Sequence, residues 1–169
     1  FEHDKVALSV GIQQMIKSES AGVMFTIDTE TGFNKVIEIN GAWGLGETIV
    51  KGSVTPDKFM VYKPLLNTVK NSSASKNKQC YSPIIEKQCG SKLEKMSFVS
   101  SSYLETKVTD ERDNLLMTQS TETVNTTTEE RTHLVLSDDE ILQLANWAVS
   151  IEQHYGKAMD MEWAKDSNS

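Results

Sequence analysis

Apolar positions along the chain follow two different spacings, which predicts both helices and strands. Residues 6–17 and 141–155 carry apolar side chains three or four positions apart, as on one face of an amphipathic helix. Shorter runs rich in Val, Ile, Phe and Met are typical of strands. These runs are residues 21–28, 35–40, 58–63, 84–88, 93–99 and 159–164. This order of elements predicts an α+β fold with antiparallel strands and flanking helices, not a doubly wound sheet.

Turn and capping signals predict where several of these elements begin and end. The short polar segment Thr29–Gly32 separates the first two strand-like runs, which indicates a hairpin. A short helix is expected at Glu47–Lys51, closed by Gly52. The long helix begins at a capping box, Ser137–Glu140, in which each end residue can accept a hydrogen bond from the other's backbone amide. Gly156 is well placed to end that helix.

Two stretches contain few residues that could be buried. Residues 67–82 are rich in Ser, Asn and Lys, and residues 118–132 are rich in Thr and Glu, so both are expected to be exposed polar loops. The two cysteines, Cys80 and Cys89, match no common zinc-binding spacing and are too few for a disulfide framework. We expect free thiols in a reducing compartment, the cytoplasm; a single disulfide or a redox role is the alternative.

Composition narrows the classes of partner. The chain has 169 residues, 38% of them apolar, which suits one domain with a core. Its net charge of −7 argues against nucleic acid and anionic membranes as partners, because affinity for phosphate backbone grows with cationic contacts. No apolar run approaches the roughly 20 residues of a membrane span. The chain begins without Met in an amphipathic run and ends soon after a strand-like segment, so we expect a piece of a longer protein.

The sharpest local feature is Asp160-Met161-Glu162. In a strand, alternate side chains share a face, so the two carboxylates would stand about 7 Å apart on one face while Met161 and Trp163 point to the other. Two like charges facing one spot repel unless a cation lies between them, and magnesium on nucleotide phosphates is a common occupant of such a site. The alternative is an ordinary strand whose carboxylates only face water.

The glycine-rich segment Gly41–Glu47 is the second feature. Its sequence, GAWGLGE, places three glycines in six positions, which allows a ligand to approach the backbone closely. The third glycine of a dinucleotide fingerprint is missing, and no Gly-Lys-Ser/Thr follows as in a P-loop. On this local pattern a structural turn is favoured over a phosphate-binding loop.

Three ordered segments resemble the phosphoenolpyruvate synthase (pyruvate, water dikinase) family. They are residues 21–32 (AGVMFTIDTETG), residues 42–47 (AWGLGE) with 54–57 (VTPD), and residues 151–164 (IEQHYGKAMDMEWA). Each segment alone is only suggestive, whereas the ordered set is specific. The resemblance covers roughly residues 6–64 and 84–166.

This resemblance implies that residues 1–169 are the second portion of an ATP-grasp nucleotide-binding domain, truncated at both ends. Enzymes of the family use ATP to phosphorylate a histidine on a mobile domain. The phosphate then passes to pyruvate on a separate barrel, and the products are phosphoenolpyruvate, AMP and phosphate. By the same resemblance, Asp160 and Glu162 would hold Mg²⁺ on ATP, and the other domains of the parent chain would be its partners. The residues implied to contact the nucleotide are Gly44, Gly46, Glu47 and Glu162.

The chain also departs from the family pattern. The Gln-Ala-Arg strand and the lysine and arginine of the first ATP-grasp portion have no counterpart here, nor does a Gly-rich Ser-His segment. None of His3, His133 and His154 is therefore expected to be the phosphohistidine. We expect no catalytic residue in this chain, no activity on its own and weak ATP binding at best. The alternatives are a related ATP-grasp phosphotransferase (pyruvate phosphate dikinase or rifampicin phosphotransferase) and a noncatalytic interaction module.

Overall fold

A computed structural model describes residues 7, 9–66, 81–99 and 121–166. It contains seven strands and three bounded helices within these ranges. The strands are β1 (Ser18–Phe25), β2 (Val36–Trp43), β3 (Asp57–Tyr62), β4 (Ile84–Gln88), β5 (Glu94–Phe98), β6 (Thr121–Asn125) and β7 (Asp160–Asp166). The helices are α1 (Glu47–Val50), α2 (Thr128–Thr132) and α3 (Asp138–Tyr155). Residues 63–66 are also helical.

The strands form two antiparallel sheets. The larger sheet has five strands in the order β4-β3-β2-β1-β7, and the smaller one pairs β5 with β6. The predicted hairpin is β1 and β2, with Gly22 opposite Gly41. The architecture is therefore the predicted α+β fold with antiparallel strands and helices beside them.

Helix α3 packs on one face of the five-stranded sheet, and this contact forms the hydrophobic core. The helix contributes Ile141, Leu144, Ala145 and Ala148, which are all buried. The strands meet them with alternate apolar residues, as expected where one sheet face is covered. The strand and loop members of the core are Met24, Ile37, Ile39, Phe59, Val61, Leu66, Ile84, Val135, Leu136 and Trp163. The opposite face of the sheet has α1 at one end.

Trp163 needs two glycines opposite it. A Cβ atom on Gly22 would come within 2.8 Å of the Trp163 indole, and so would one on Gly41. These glycines face each other across β1 and β2, and Trp163 is paired with Gly22 from β7. The indole therefore lies over a shallow surface that only glycine provides. This packing determines which face of β7 turns to the core.

A buried ion pair joins the two sheets and the helix. The side chains of Asp57 and Lys92 are both 0% exposed and form a direct salt bridge. The second carboxylate oxygen of Asp57 accepts a hydrogen bond from the amide of Val135 at 2.8 Å, and the amide of Gly90 donates to the first at 2.8 Å. Lys92 also donates to the Gly90 carbonyl at 3.1 Å. One carboxylate thus connects the start of β3, the segment before β5 and the segment before α3.

A second ionic contact holds β7 to α3. Lys165 lies 2.8 Å from Glu140 and 3.3 Å from Glu19. Glu140 also completes the capping box with Ser137 that the sequence predicts. Burial raises the pKa of Glu140, but hydrogen bonds from Lys165 and Ser137 outweigh it, so that pKa lies below its usual 4.5. The hydrogen bond to Glu140 raises the pKa of Lys165, so both groups are charged at neutral pH.

Two predicted elements differ from the structure, and a third falls partly outside it. The helix predicted over 6–17 is wrong: residues 9–17 have no regular structure, and the side chain of Ile12 is 99% exposed. An isolated short helix gains little without a packed face, and Gly11 lies in its middle. The predicted loop at 118–132 is wrong where the structure describes it, because β6 and α2 form within residues 121–132 from polar residues. Residues 118–120 lie outside the described residues. Of the predicted loop 67–82, only residues 81–82 are described, and these are exposed.

The strands on either side of Gly90 belong to different sheets. β4 pairs with β3, whereas β5 pairs with β6. Both the short helix before Gly52 and the long helix, which Gly156 ends in a left-handed conformation, are confirmed. Cys89 is an exposed free thiol, and Cys80 lies outside the described residues.

Replacing Asp57 with Asn should destabilise the fold strongly, because Lys92 would then be a buried charge without its carboxylate. Loss of one partner of a buried pair costs about 3–5 kcal/mol. Urea denaturation followed by tryptophan fluorescence measures this change. Lys87→Met is the matched control, since it breaks the exposed pair with Asp138 and should cost below about 1 kcal/mol. Equal losses in the two variants would contradict the central role of the buried pair.

Acid should weaken the fold through Glu140. Its pKa is lower in the folded chain, so its contribution is present above pH 4.5 and is lost as pH falls further, because the unfolded chain takes up the proton first. The Glu140→Gln variant should therefore lose less free energy of unfolding between pH 7 and pH 3 than the parent does. Glu86→Gln, at an exposed strand position, should keep the parent's pH dependence. An unchanged slope in Glu140→Gln would refute this role.

Candidate nucleotide site

Strand β7 presents two carboxylates on the sheet face that α3 does not cover. Asp160 pairs with Phe25 and Glu162 with Val23, so all four side chains share that face, while Trp163 is buried on the other. This is the alternation that the sequence predicts. Both carboxylates are exposed, and neither has a hydrogen-bond or ion-pair partner within the described parts of the chain. They are therefore available to a ligand.

The two carboxylates line a groove of about 420 Å³ between β7, β1 and helix α1. Apolar side chains make up its remaining walls, so charge is concentrated on one side. The lining residues are Val23, Phe25, Ile49, Val50, Asp160 and Glu162. Such a groove, apolar along its length with a few converging polar groups, is typical of a small-molecule site.

Gly46 and Glu47 lie at the start of helix α1, whose Ile49 and Val50 line the groove. Gly46 precedes the helix, and a Cβ there would lie 3.5 Å from the Ala21 side chain, so the chain passes close to β1. Glu47 is the first residue of α1, and its carboxylate pairs with Lys51 at 2.5 Å. Its side chain is 48% exposed, so it can also reach solvent or a ligand.

Gly44 has an internal structural role. Its amide donates to the Glu19 carbonyl at 2.8 Å, and the next amide, of Leu45, donates to the Met96 carbonyl at 2.9 Å. Its φ of 80° is a conformation that glycine adopts readily. Gly44 lies opposite Glu19, four residues along β1 from the level of Glu162, or roughly 13 Å away. The structure therefore places Asp160, Glu162 and α1 around one groove, with Gly44 at the contact between the two sheets.

A metal in this groove would obtain two carboxylates from the described residues. These residues contain no group of three or more His, Cys, Asp or Glu side chains that could hold a metal. Mg²⁺ is usually bound through one or two carboxylates together with substrate phosphates and water. Asp160 and Glu162 fit that donor set, whereas a zinc centre would need more ligands.

Comparison with known proteins assigns the chain to a family. Residues 1–169 match the family model described as "Pyruvate phosphate dikinase, AMP/ATP-binding domain". The chain belongs to this family. The dikinase AMP/ATP-binding domain therefore accounts for the whole sequence, and its description agrees with the resemblance that the ordered motifs indicate.

Curated relatives of this dikinase domain are named phosphoenolpyruvate synthase. The relative from Aquifex aeolicus is 44% identical over 98% of the chain, and that from Helicobacter pylori is 42% identical over all of it. The Escherichia coli relative is 39% identical. The chain spans 17–19% of the length of these three relatives.

The described part of the dikinase domain includes no helix that is both long and apolar enough to cross a membrane. Two of its histidines are described, and both are exposed and lie away from the groove. His133 follows α2, where its Nδ1 is 2.9 Å from the Glu129 carbonyl oxygen, and His154 stacks edge-on against Tyr155.

Sequence reasoning missed a polar network on the same open face of the dikinase domain. Glu38, with a side chain 7% exposed, accepts from the Thr29 hydroxyl at 3.2 Å and from the Asn40 amide at 3.1 Å. Lys58 lies 3.4 Å from it. The signal was the alternation of Glu38 and Asn40 with buried isoleucines, which indicates a strand with one polar face.

Replacing Gly44 with Ala should reduce stability by more than about 1 kcal/mol, because a side chain is disfavoured at this φ and the new methyl group would strike the Met96 carbonyl. Thermal unfolding measures the loss. Gly52→Ala is the matched control, since Gly52 has a φ of 66° but open space around it. Gly52→Ala measures only the cost of a side chain at positive φ, so the Gly44 variant should be the less stable of the two. Equal losses would show that the contact with Met96 is unimportant.

Proposed function

We propose that this chain supplies part of the Mg²⁺-ATP site of a phosphoenolpyruvate synthase. The observation that carries the proposal is a pair of exposed carboxylates, Asp160 and Glu162, which face an apolar groove and have no partner among the described residues. Membership of an AMP/ATP-binding domain family supports ATP as the ligand. The names of the relatives support the synthase reaction.

In this proposal Asp160 and Glu162 hold Mg²⁺ against the phosphates of ATP. Bound Mg²⁺ would neutralise phosphate charge, which is most of what phosphoryl transfer requires. The contribution of the chain is to keep the two carboxylates on one face of β7, at the spacing of alternate residues. Trp163, seated over the glycine pair, keeps that face turned to the groove.

The nucleotide would lie along the apolar part of the groove. Val23 and Phe25 form one side of it and Ile49 and Val50 the other, which suits a flat base or ribose. Gly46 and Glu47, at the start of α1, would line the nucleotide cleft next to these residues. Gly44 would contribute by shaping the loop, since its amide donates to Glu19.

The complete reaction needs parts of the parent protein beyond this chain. ATP would phosphorylate a histidine on another domain, and that phosphate would be transferred to pyruvate on a barrel. ATP, pyruvate and water would give phosphoenolpyruvate, AMP and phosphate. Those domains are the proposed partners, and the cytoplasm is the proposed compartment. This chain alone should be inactive and bind ATP weakly.

Two alternatives lead to different outcomes. The family description names pyruvate phosphate dikinase, so a related ATP-grasp phosphotransferase, including a rifampicin phosphotransferase, would use the same carboxylates with another acceptor. A noncatalytic module would keep the fold without binding nucleotide. Metal and nucleotide binding therefore separate the module from both phosphotransferases.

Mn²⁺, used as a paramagnetic substitute for Mg²⁺, should broaden the amide NMR signals of β7 and α1 in the 169-residue chain. Replacing Glu162 with Gln should raise the dissociation constant of Mn²⁺ at least about tenfold, because removal of a ligand costs at least as much as removal of a supporting group. In the unsubstituted chain, titration with millimolar Mg²⁺-ATP should shift the amide signals of Val23, Phe25 and α1.

Asp139→Asn is the control, since it removes an exposed carboxylate at the start of α3. It should leave broadening at β7 unchanged. Broadening centred on α3, or unaffected by Glu162→Gln, would overturn the metal site. A chain that binds neither Mn²⁺ nor Mg²⁺-ATP would support the noncatalytic module, and micromolar ATP affinity would refute the expectation of weak binding.

A further inference from the structure

The open face of the five-stranded sheet carries one lysine of its own. The five strands contain three lysines in all: Lys58, Lys87 and Lys165. Lys87 pairs with Asp138 and Lys165 with Glu140, both on helix α3, so these two serve the covered face. Lys58 is opposite Asn40, which is opposite Val23 on the face of the carboxylates.

Lys58 and Glu162 occupy the same row across the sheet. The row runs from Glu162 through Val23 and Asn40 to Lys58. Three strand spacings separate its ends, or about 14 Å between Cα atoms. Both end residues have long side chains, which can shorten the gap between their charged groups when they turn towards each other. A cation therefore stands across the sheet from the proposed metal ligands.

The ammonium group of Lys58 retains bonding capacity. Its single ion-pair partner in the described chain is Glu38, at 3.4 Å, and a lysine has three donors. Glu38 has other donors, the Thr29 hydroxyl at 3.2 Å and the Asn40 amide at 3.1 Å. Glu38 can therefore stay satisfied while Lys58 turns one N–H to an anion. The Lys58 side chain is 26% exposed, so an anion on this open face can approach it.

We propose that Lys58 is a phosphate contact of the nucleotide site, on the side opposite to Asp160 and Glu162. This inference rests on the proposed function and deepens it. Mg²⁺ held by the carboxylates would anchor one part of a polyphosphate, and Lys58 would donate a charge-assisted hydrogen bond to an oxygen of another part. Asn40, in the row between them, offers a neutral amide. Glu38 is the positioning residue that holds Lys58 over the face.

The test is Mg²⁺-ATP binding to the Lys58→Met variant of the whole 169-residue chain, followed by NMR titration. Loss of a hydrogen bond to a charged group predicts about a tenfold rise in the dissociation constant of Mg²⁺-ATP. Adenosine should bind with unchanged affinity, since it has no phosphate. Binding of Mn²⁺ alone should also be unchanged, because the carboxylates are intact. Lys58→Arg should restore much of the affinity for Mg²⁺-ATP.

Lys87→Met is the matched control, because Lys87 is also a strand lysine in an ion pair but serves the face that α3 covers, so its loss should leave Mg²⁺-ATP affinity unchanged. Lys58→Met leaves the buried Glu38 carboxylate without its cation and could therefore misfold. The double variant Glu38→Gln/Lys58→Met removes that charge as well. It should fold and still bind Mg²⁺-ATP about tenfold more weakly than the parent. Unchanged Mg²⁺-ATP affinity in both Lys58 variants would overturn this inference and leave the metal site standing. If the unsubstituted chain bound no Mn²⁺, the proposed function would be overturned, and this inference would fall with it.

Discussion

The fold depends on one buried carboxylate. Asp57 begins β3 in the five-stranded sheet, and its two oxygens bind Lys92, the Gly90 amide and the Val135 amide. A charge at 0% exposure is costly unless every lone pair has a donor, so these segments must meet in one arrangement. The smaller sheet reaches the same point through Thr126, whose hydroxyl donates to the Lys92 carbonyl at 2.5 Å. The position of β5, and with it the Gly44 loop, follows from this pair.

The candidate site depends on a different constraint, the period of two in β7. Trp163 must be buried over Gly22 and Gly41, because no side chain fits between the indole and those strands. Once Trp163 faces the core, Asp160 and Glu162 face the other way. A hydrophobic contact thus fixes the direction of two charged groups that do not touch it. Within the described residues the carboxylates hold this direction without partners of their own.

Local patterns predicted the elements whose signals lie in adjacent residues. The capping box at Ser137, the stop at Gly156 and the alternation around Met161 all appear in the structure as expected. The helix predicted over 6–17 is wrong because its apolar residues, such as Ile12 and Met15, are exposed and do not pack on the described core. The polar segment 121–132 was misread as a loop for the opposite reason. β6 is held by backbone hydrogen bonds to β5, and such pairing leaves no hydrophobic pattern in the sequence. The Lys58 network was missed because its members come from three separate segments.

The sequence by itself determined the class of fold, the family and the two carboxylates on one face of a strand. It could do so because helix caps, strand alternation and ordered motifs are properties of neighbouring residues. The tertiary structure decided that α1 faces those carboxylates, that Gly44 donates its amide inside the protein, and that Lys58 shares their sheet face. These relations join residues far apart in the chain, and strand order and register set them. Register in turn is selected by burial of side chains such as Trp163 and Asp57, whose contacts exist only after folding.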